Sequence, residues 1–296
     1  MDPPDHLAAY PCPLCGADNY RPRGTIQGFR LVECRACSML YVNPRLANSA
    51  LFELYRANYF HRLNGARAGY ENYELSAPLR IRTFERWFRH LAAHARLRPG
   101  HALDVGCAAG YFLDILKHEG FEPEGIELDA AMRAAVRQRG YVVHGEPLEM
   151  FTAEHPYTLI TLFDVLEHLP EVRADLSKLA GILAEGGVLA FATPNLGSFQ
   201  RRLFGRRWFQ FKPLEHIHYF SPRTIRRLLD ACGLELVHLA RCGQYADFGF
   251  LHDRLRRYGH HRLDRLFVAL MRLARLENRA WYADTGSMFV ICRKRP

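Results

Sequence analysis

The stretch HALDVGCAAGYFLDIL, from His101 to Leu116, joins a short apolar run, a loop with two glycines and an amphipathic run. This pattern predicts a strand, a ligand-binding loop and a helix. The loop reads D-x-G-x-x-x-G from Asp104 to Gly110. It has neither the G-x-G-x-x-G of a dinucleotide site nor the G-K-[ST] ending of a phosphate-binding loop. The loop therefore predicts a nucleotide ligand that lacks a diphosphate.

Two acidic residues narrow the choice of ligand. Asp104 lies two residues before the first glycine, where a carboxylate disfavours phosphate and suits a cation. Glu127 ends the second predicted strand, at the position where an acid binds both hydroxyls of a ribose. S-adenosylmethionine combines a ribose with a sulfonium cation, so we expect it as the cofactor. The alternative is that both carboxylates only cap a turn or a helix.

Strand and helix patterns alternate from His101 onward. This alternation predicts an α/β fold with a doubly wound, Rossmann-like sheet and helices on both faces. Ligands of such sheets lie outside the carboxyl ends of the strands. Those ends fall near Gly106, Glu127, Gly145, Asp164 and Asn195.

Four segments carry a family resemblance: LDVGCAAGYFLDIL, GIELD, FDVLEHLPE and EGGVLAFATPN. In sequence and order they resemble class I S-adenosylmethionine-dependent methyltransferases, and in particular a subgroup of the ubiquinone pathway. The resemblance covers residues 80–240. It implies the seven-stranded sheet of that family, whose last strand is antiparallel.

The resemblance also implies which residues bind the cofactor. The loop would hold the methionine part, Glu127 the ribose, and Leu128 would lie against the adenine. Glu146 matches a position that contacts the adenine amino group, and Phe163 and Asp164 match positions beside the methionine tail. The expected cofactor-binding set is Asp104, Gly106, Cys107, Gly110, Glu127, Leu128, Glu146, Phe163 and Asp164.

Histidines near strand ends are the candidate catalytic residues, because methyl transfer often needs a base and histidine titrates near neutral pH. His168 follows the fourth predicted strand. His216 and His218 lie in the segment EHIHYF, which resembles a motif of the same methyltransferase subgroup. A hydrogen-bonded structural role is the alternative for each. The order Asp164-x-x-Glu167-His168 also resembles the E-x-x-E-H of ubiquinone-pathway O-methyltransferases, which implies a second metal site there.

Four cysteines form the pattern C-x2-C, 18 residues, C-x2-C. Two such pairs can supply four thiolates in a tetrahedron, which predicts a structural Zn²⁺ site in a ribbon. Disulfides are the alternative in a secreted protein. The predicted ligands are Cys12, Cys15, Cys34 and Cys37.

The chain divides into three predicted regions. Residues 1–46 form a zinc ribbon, 47–100 an aromatic-rich helical lid, and 101–296 the methyltransferase domain. A basic helical insertion at about 247–283 interrupts that domain. Its amphipathic pattern suits peripheral membrane contact or a lipid-linked substrate, with packing on the domain or on a partner subunit as the alternative.

The composition of the chain indicates which partners it could bind and where in the cell we expect it. The net charge is +9 and the last third is rich in arginine, which suits phosphate, acidic substrates, anionic lipid or RNA. The acidic N-terminus does not resemble a signal peptide, and we expect a cytoplasmic protein without a transmembrane segment.

The leading hypothesis is O-methylation of a small-molecule, glycan or lipid-linked biosynthetic intermediate. The alternative is an RNA methyltransferase that binds nucleic acid through the ribbon and the arginine-rich surface. The segment ATPN after the fifth strand argues against the RNA alternative, because it has no aromatic residue on which a flipped base could stack. A third hypothesis is a non-catalytic scaffold, which the intact Asp104, Gly106, Gly110 and Glu127 disfavour. The acceptor and the oligomeric state stay open.

Overall fold

The computed structural model describes residues 7–56, 76–249 and 279–295, with isolated positions between 252 and 273. Its strands are β1 Leu7–Ala8, β2 Tyr20–Ile26, β3 Phe29–Cys34, β4 Leu40–Val42, β5 Arg45–Leu46, β6 His101–Val105, β7 Glu122–Ile126, β8 Val142–His144, β9 Tyr157–Phe163, β10 Leu183–Pro194, β11 His218–Tyr219, β12 Leu234–Ala246 and β13 Trp281–Lys294. Its α-helices are α1 Asn48–Arg56, α2 Ala77–His94, α3 Tyr111–His118, α4 Ala130–Gln138, α5 Val172–Ile182, α6 Phe199–Phe204 and α7 Pro222–Ala231. Two 3-10 turns span Leu166–His168 and Gly205–Arg207.

The main sheet has seven strands in the order β12-β13-β10-β9-β6-β7-β8. Strands β6 to β10 pair in parallel, and β13 is antiparallel to both of its neighbours, β10 and β12. The predicted Rossmann-like sheet with an antiparallel last strand is confirmed. The order places the ends of β6, β7 and β9 next to one another, which brings their following loops into one site.

Helices cover both faces of this sheet. On one face α5 and α7 bury leucines such as Leu176 and Leu228 against strand residues such as Leu162. On the other face α2 and α3 bury Trp87 and Phe112 against the other side of the sheet. Strands buried on both faces have nearly continuous apolar sequences, as the YTLITLF of β9 does.

The N-terminal region forms a second sheet with the order β11-β4-β3-β2, antiparallel throughout. Its fourth strand, β11, comes from the segment EHIHYF, far along the chain. Arg45, which is 3% exposed, also connects the N-terminal sheet to the segment after β9. Its guanidinium donates to Asn48 Oδ1 at 2.8 Å and to the Pro170 carbonyl at 3.3 Å. The ribbon therefore packs against the segments that follow β9 and precede α7.

The predicted lid, 47–100, contains α1 and α2, and residues 57–75 of it lie outside the described residues. The buried face of α2, with Trp87, Phe88 and Leu91, forms a layer of the sheet core. The division into ribbon, lid and methyltransferase domain stays a prediction.

The predicted basic helix within 247–283 lies mostly outside the described residues, and so does the membrane contact expected of it. Strand β13 begins at Trp281, inside the predicted insertion, because it pairs with β12 as far as Ala246. Within the described part of the chain, no helix combines the length and the apolar character needed to cross a membrane.

Candidate functional site

The loop after β6 turns sharply over the end of β7. Gly106 has φ +75°, and a Cβ there would lie 2.5 Å from Val165 Cγ2, so the position requires glycine. The backbone N–H groups of Gly106 and Cys107 both donate to the Ile126 carbonyl, at 2.8 and 3.1 Å. The bare backbone at Gly106 lets the loop approach the segment after β9 closely, and it forms the floor of a cleft.

Glu127 follows β7 and is held by backbone donors on both carboxylate oxygens. Its Oε2 accepts from the N–H of Ala108 and its Oε1 from the N–H of Asp129, each at 2.8 Å. Burial raises the pKa of Glu127 to about 7, an effect that these N–H donors oppose. Each oxygen keeps a further lone pair, so the carboxylate is preorganised to accept two hydroxyl hydrogen bonds.

Asp104 lies in β6, and Thr161 Oγ1 donates to it at 2.6 Å. Burial, together with the nearby carboxylate of Glu127, raises the pKa of Asp104 to about 7, although the hydrogen bond from Thr161 opposes the shift. Among the residues that the structure describes, no cation contributes to the pKa shift of either acid, and two buried acids in such a setting favour a ligand that brings positive charge.

These residues line one cleft, which is partly open to solvent. It brings together most of the residues expected around the cofactor. Those that line it are Asp104, Gly106, Cys107, Glu127, Leu128, Phe163, Asp164 and the candidate base His168.

Four expected site residues lie outside this lining: Gly110, Glu146, His216 and His218. Gly110 instead begins α3, with φ +72°, as its N-cap. Glu146 accepts from the N–H of Gly145 at 3.1 Å and lies 3.8 Å from His144. The roles expected of these residues stay predictions.

The cleft also has lining residues that the sequence did not single out as site residues. Phe52 and Tyr55 of α1 and Arg80 and Phe84 of α2 contribute to its wall. Phe84 stacks on Phe163 with ring centroids 6.0 Å apart. The aromatic content of residues 48–98 was visible in the sequence, but no spacing rule connects it to the loop after β6.

Asp164 has φ +57° at the end of β9, where its N–H donates to the Ala192 carbonyl at 2.9 Å. Burial raises the pKa of Asp164 to about 6, and the positive charges of Arg80 and Lys212 oppose the shift. A left-handed backbone at a non-glycine residue is a local cost that proteins retain where a side chain must be aimed.

His168 ends the 3-10 turn beside the cleft. Its Nδ1 lies 2.9 Å from Tyr55 Oη and 3.0 Å from the Glu215 carbonyl. A carbonyl oxygen only accepts, so Nδ1 carries the proton and the lone pair is on Nε2. Burial lowers the pKa of His168 to about 4, so the imidazole is neutral at physiological pH.

Glu167 and His216 extend this group. The ring of His216 lies 4.8 Å from that of His168, and its Nδ1 is 2.9 Å from the Gln210 carbonyl. Glu167 accepts from Thr193 Oγ1 at 2.9 Å, and burial raises its pKa to about 8. One atom from each of Glu167, His168 and His216 falls within 4.8 Å of the others, whereas Asp164 is not part of that group.

His218 lies in β11, 2% exposed. Its Nε2 donates to the Leu169 carbonyl at 3.0 Å, and burial lowers its pKa to about 3. This histidine therefore connects the ribbon sheet to Leu169, a residue of the cleft wall.

The four predicted zinc ligands converge in the ribbon. The sulfurs of Cys12 and Cys37 are 3.4 Å apart, and those of Cys15 and Cys34 are 3.6 Å apart. A disulfide would need about 2.05 Å, whereas two sulfurs on a tetrahedral zinc, with Zn–S bonds of about 2.3 Å, lie about 3.8 Å apart. All four sulfurs lie within 4.8 Å of one another, which fits one zinc ion.

Comparison with known proteins identifies a family for residues 79–239, more than half of the chain. This segment matches the sequence model of a family described as a methyltransferase domain. The matched segment contains the loop after β6, Glu127, Asp164 and His168.

Curated relatives match about half of the chain. The ubiquinone biosynthesis O-methyltransferase of Nitrosospira multiformis is 31% identical over 126 residues, 40% of this chain and 50% of that protein. The corresponding protein of Burkholderia thailandensis is 26% identical over 161 residues, 50% of this chain and 69% of that protein. A probable S-adenosylmethionine-dependent methyltransferase of Mycolicibacterium smegmatis is 29% identical over 160 residues, 51% of this chain and 60% of that protein. The chain thus spans about half the length of the first of these relatives.

Solved structures share the fold. Magnesium protoporphyrin IX methyltransferase from Synechocystis PCC 6803 with bound SAH aligns with a TM-score of 0.53 at 15% identity, covering 84% of this chain and 100% of that one. An S-adenosylmethionine-dependent methyltransferase from Clostridium acetobutylicum aligns with a TM-score of 0.50 at 11% identity, covering 75% of this chain and 95% of that one.

Proposed function

Because this chain belongs to the class I S-adenosylmethionine-dependent methyltransferases, we propose that it methylates a hydroxyl group of a small-molecule, glycan or lipid-linked biosynthetic intermediate. The observation that carries the proposal is one cleft that is lined both by the acids expected to hold the cofactor and by a neutral histidine. The curated relatives named as ubiquinone biosynthesis O-methyltransferases support oxygen as the methylated atom.

Asp104 and Glu127 have the leading roles in cofactor binding. S-adenosylmethionine supplies an electrophilic methyl group on a sulfonium sulfur. Glu127, held by the N–H groups of Ala108 and Asp129, accepts the two ribose hydroxyls. Asp104, with its oxygen fixed by Thr161, faces the positively charged methionine part. Gly106 and Cys107 shape the loop beneath it, and Leu128 contacts the adenine.

His168 is the proposed general base. The Glu215 carbonyl and the Tyr55 hydroxyl hold Nδ1, which leaves Nε2 to take the proton from an acceptor hydroxyl. His216 adjoins it. Asp164, which lines the same cleft, is assigned to the methionine part of the cofactor. His218 acts through Leu169, so we assign it a positioning role instead of contact with the acceptor.

The wall that faces the acceptor is largely aromatic. Phe52, Tyr55 and Phe84 contribute apolar surface, and Arg80 contributes a positive charge near the same wall. Such a wall suits an aromatic or lipid-bearing hydroxyl compound with an acidic group.

Zinc in the ribbon is proposed as structural. Four thiolates leave no open position on the ion, so it stabilises the ribbon and takes no part in methyl transfer. Cys12, Cys15, Cys34 and Cys37 are the ligands. Through β4 and β11 the ribbon then supports His218 and the cleft wall.

The test is methyl transfer from labelled S-adenosylmethionine to a panel of hydroxylated phenols, glycans and polyprenyl compounds, with structured RNA as a separate arm. The expected result is methylation in the small-molecule arm that is lost in a His168→Ala variant. Methylation of RNA alone would support the RNA alternative and contradict the proposal. NMR spectroscopy of the purified product distinguishes oxygen from nitrogen as the methylated atom, because O-methyl and N-methyl groups differ in chemical shift.

A further inference from the structure

Three histidines meet on the side of the main sheet that α2 covers, away from the cleft lining. His90 and His94 lie one turn apart on α2, and His238 lies on β12, the edge strand beside it. The ring centroids of His94 and His238 are 3.8 Å apart, and those of His90 and His238 are 5.0 Å apart. One ring nitrogen from each histidine falls within 4.8 Å of the other two.

Each of the three histidines has a ring nitrogen that is available to an ion. In the described part of the chain, no hydrogen-bonding group pairs with the buried Nε2 of His90 or with that of His238. His94 Nδ1 lies 2.8 Å from the His90 carbonyl, which only accepts, so Nδ1 carries the proton and Nε2 has the lone pair. A backbone carbonyl that holds the second nitrogen of a histidine is the usual outer contact of a metal ligand.

We propose that His90, His94 and His238 form a binding site for a divalent transition-metal ion, with zinc as the favoured ion. Imidazole suits zinc, and nitrogens bound to one tetrahedral zinc lie about 3.3 Å apart. Closing the three nitrogens around an ion requires the stacked rings of His94 and His238, which are 28° apart in plane, to turn, because an imidazole lone pair lies in the ring plane. Three protein ligands leave an open position for water or an anion.

The site lies at one end of a continuous contact between α2 and β12. At the other end Thr83 Oγ1 accepts from the Tyr245 N–H at 2.9 Å, and Trp87 Nε1 donates to the Gly243 carbonyl at 3.0 Å. An ion on the three histidines would fix the C-terminal end of α2 to the edge strand. His90 is about 15 Å along the helix from Arg80, the α2 residue in the cleft wall, at 1.5 Å per residue. The ion is therefore a structural link and not part of methyl transfer.

The test counts zinc and measures its effect on stability. Tag-free wild-type protein, His94→Ala, His238→Gln and the exposed-surface control His118→Ala are dialysed against buffered micromolar zinc. Zinc per chain is then measured by mass spectrometry. The wild type and His118→Ala should hold one zinc more per chain than the two site variants. Zinc bound by the ribbon cysteines does not affect this difference, because all four proteins keep those cysteines. Added zinc should raise Tm in the first pair and not in the second.

Cobalt separates the two kinds of site. Co²⁺ added to protein that already holds ribbon zinc should give visible d–d bands without a thiolate charge-transfer band, and His94→Ala should weaken Co²⁺ binding by roughly tenfold or more. His94 is exposed, so this variant should fold, and circular dichroism checks it. Equal zinc counts and equal zinc-dependent Tm in the wild type and His94→Ala would overturn the proposal. Absence of methyl transfer in all four proteins would contradict the proposed function. It would not affect the zinc comparison, which does not depend on activity.

Discussion

The carboxylate of Glu127 is bonded to the backbone N–H of Ala108, 19 residues earlier in the chain, at 2.8 Å. This bond joins the acid after β7 to the loop after β6. The two halves of the proposed cofactor site therefore hold each other in place before a ligand arrives, which lowers the ordering cost of binding.

Glu127→Gln should weaken S-adenosylmethionine binding by roughly 10- to 100-fold. The amide has one oxygen, so one of the N–H donors of Ala108 and Asp129 loses its acceptor, and the charged hydrogen bonds to the ribose are lost, each worth about 1.5–3 kcal/mol. Calorimetry measures the dissociation constant. Glu185→Gln, at an exposed position of β10, is the matched control. Normal affinity in Glu127→Gln would show that the ribose binds elsewhere.

Cofactor affinity should rise with pH between pH 6 and 8. The pKa values of Asp104 and Glu127 are raised to about 7, mainly by burial. A sulfonium cation favours the ionised carboxylates, so binding releases protons and weakens as pH falls below 7. We expect about a tenfold change for each linked group over this range. S-adenosylhomocysteine, which lacks the sulfonium charge, should show a smaller change.

Calorimetry in two buffers of different ionisation enthalpy measures the protons released. Asp104→Asn should reduce both the proton release and the pH dependence, while Asp230→Asn, on the exposed side of α7, should change neither. A dissociation constant for S-adenosylmethionine that stays the same from pH 6 to 8 is the result that contradicts this prediction.

His168→Gln should lower kcat by roughly 10²- to 10⁴-fold, the usual contribution of general base catalysis. The dissociation constant of the cofactor should change less than twofold, because the proposed cofactor contacts lie on other residues. Tyr55→Phe removes the hydroxyl beside Nδ1 and should lower kcat less, since the Glu215 carbonyl still holds the ring. Single-turnover rates of purified variants separate the chemical step from product release. An unchanged kcat in His168→Gln would assign the proton to another group.

The sheet and its cofactor loop were predictable because their signals are local. The spacing of Asp104, Gly106 and Gly110 and the apolar runs of the strands lie within short windows of sequence. Strands that are buried between two layers of helices have almost uniformly apolar sequences, and this pattern can be recognised in the sequence alone. The position of Glu127 followed from the same rule about strand ends.

Contacts between distant segments were not predictable. The segment EHIHYF does not indicate that His218 and Tyr219 pair with β4 of the ribbon, because a strand of two residues is too short to show an alternation of apolar and polar residues. The aromatic positions of α2 predicted a helix but not that Phe84 would meet Phe163 in the cleft wall. The three-histidine cluster joins a helix to a strand more than 140 residues later, a relationship that only the fold creates.

Asp175→Asn should stabilise the cofactor-free protein at pH 8. Burial raises the pKa of Asp175 to about 7, and the carboxylates of Glu149 and Glu171 add to the shift. A raised carboxyl pKa means that the folded state holds its proton more tightly than the unfolded chain does. The favourable contribution is complete below about pH 4 and is lost as pH rises to 7. The neutral asparagine avoids that loss.

Thermal unfolding at several pH values measures the effect of this substitution. The variant should gain roughly 2–4 °C at pH 8, the shift expected for about 1 kcal/mol, and the gain should shrink toward pH 4. Asp230→Asn, at an exposed position, serves as the control for the loss of a carboxylate. A constant difference across the pH range would mean that the gain has another cause than ionisation.

Cys34→Ser should release the ribbon zinc and lower Tm, because metal binding and folding are coupled in closed thiolate sites. The effect should also reach the cleft. Loss of the metal loosens β3 and β4, β4 pairs with β11 through Tyr41 and His218, and His218 holds the Leu169 carbonyl. We therefore expect a higher KM for the acceptor with little change in the cofactor dissociation constant. Cys232→Ser, a buried thiol outside the cluster, should keep its zinc and its KM. Full zinc content in Cys34→Ser, measured with a chromogenic chelator after denaturation, would contradict the assignment of Cys34 as a ligand.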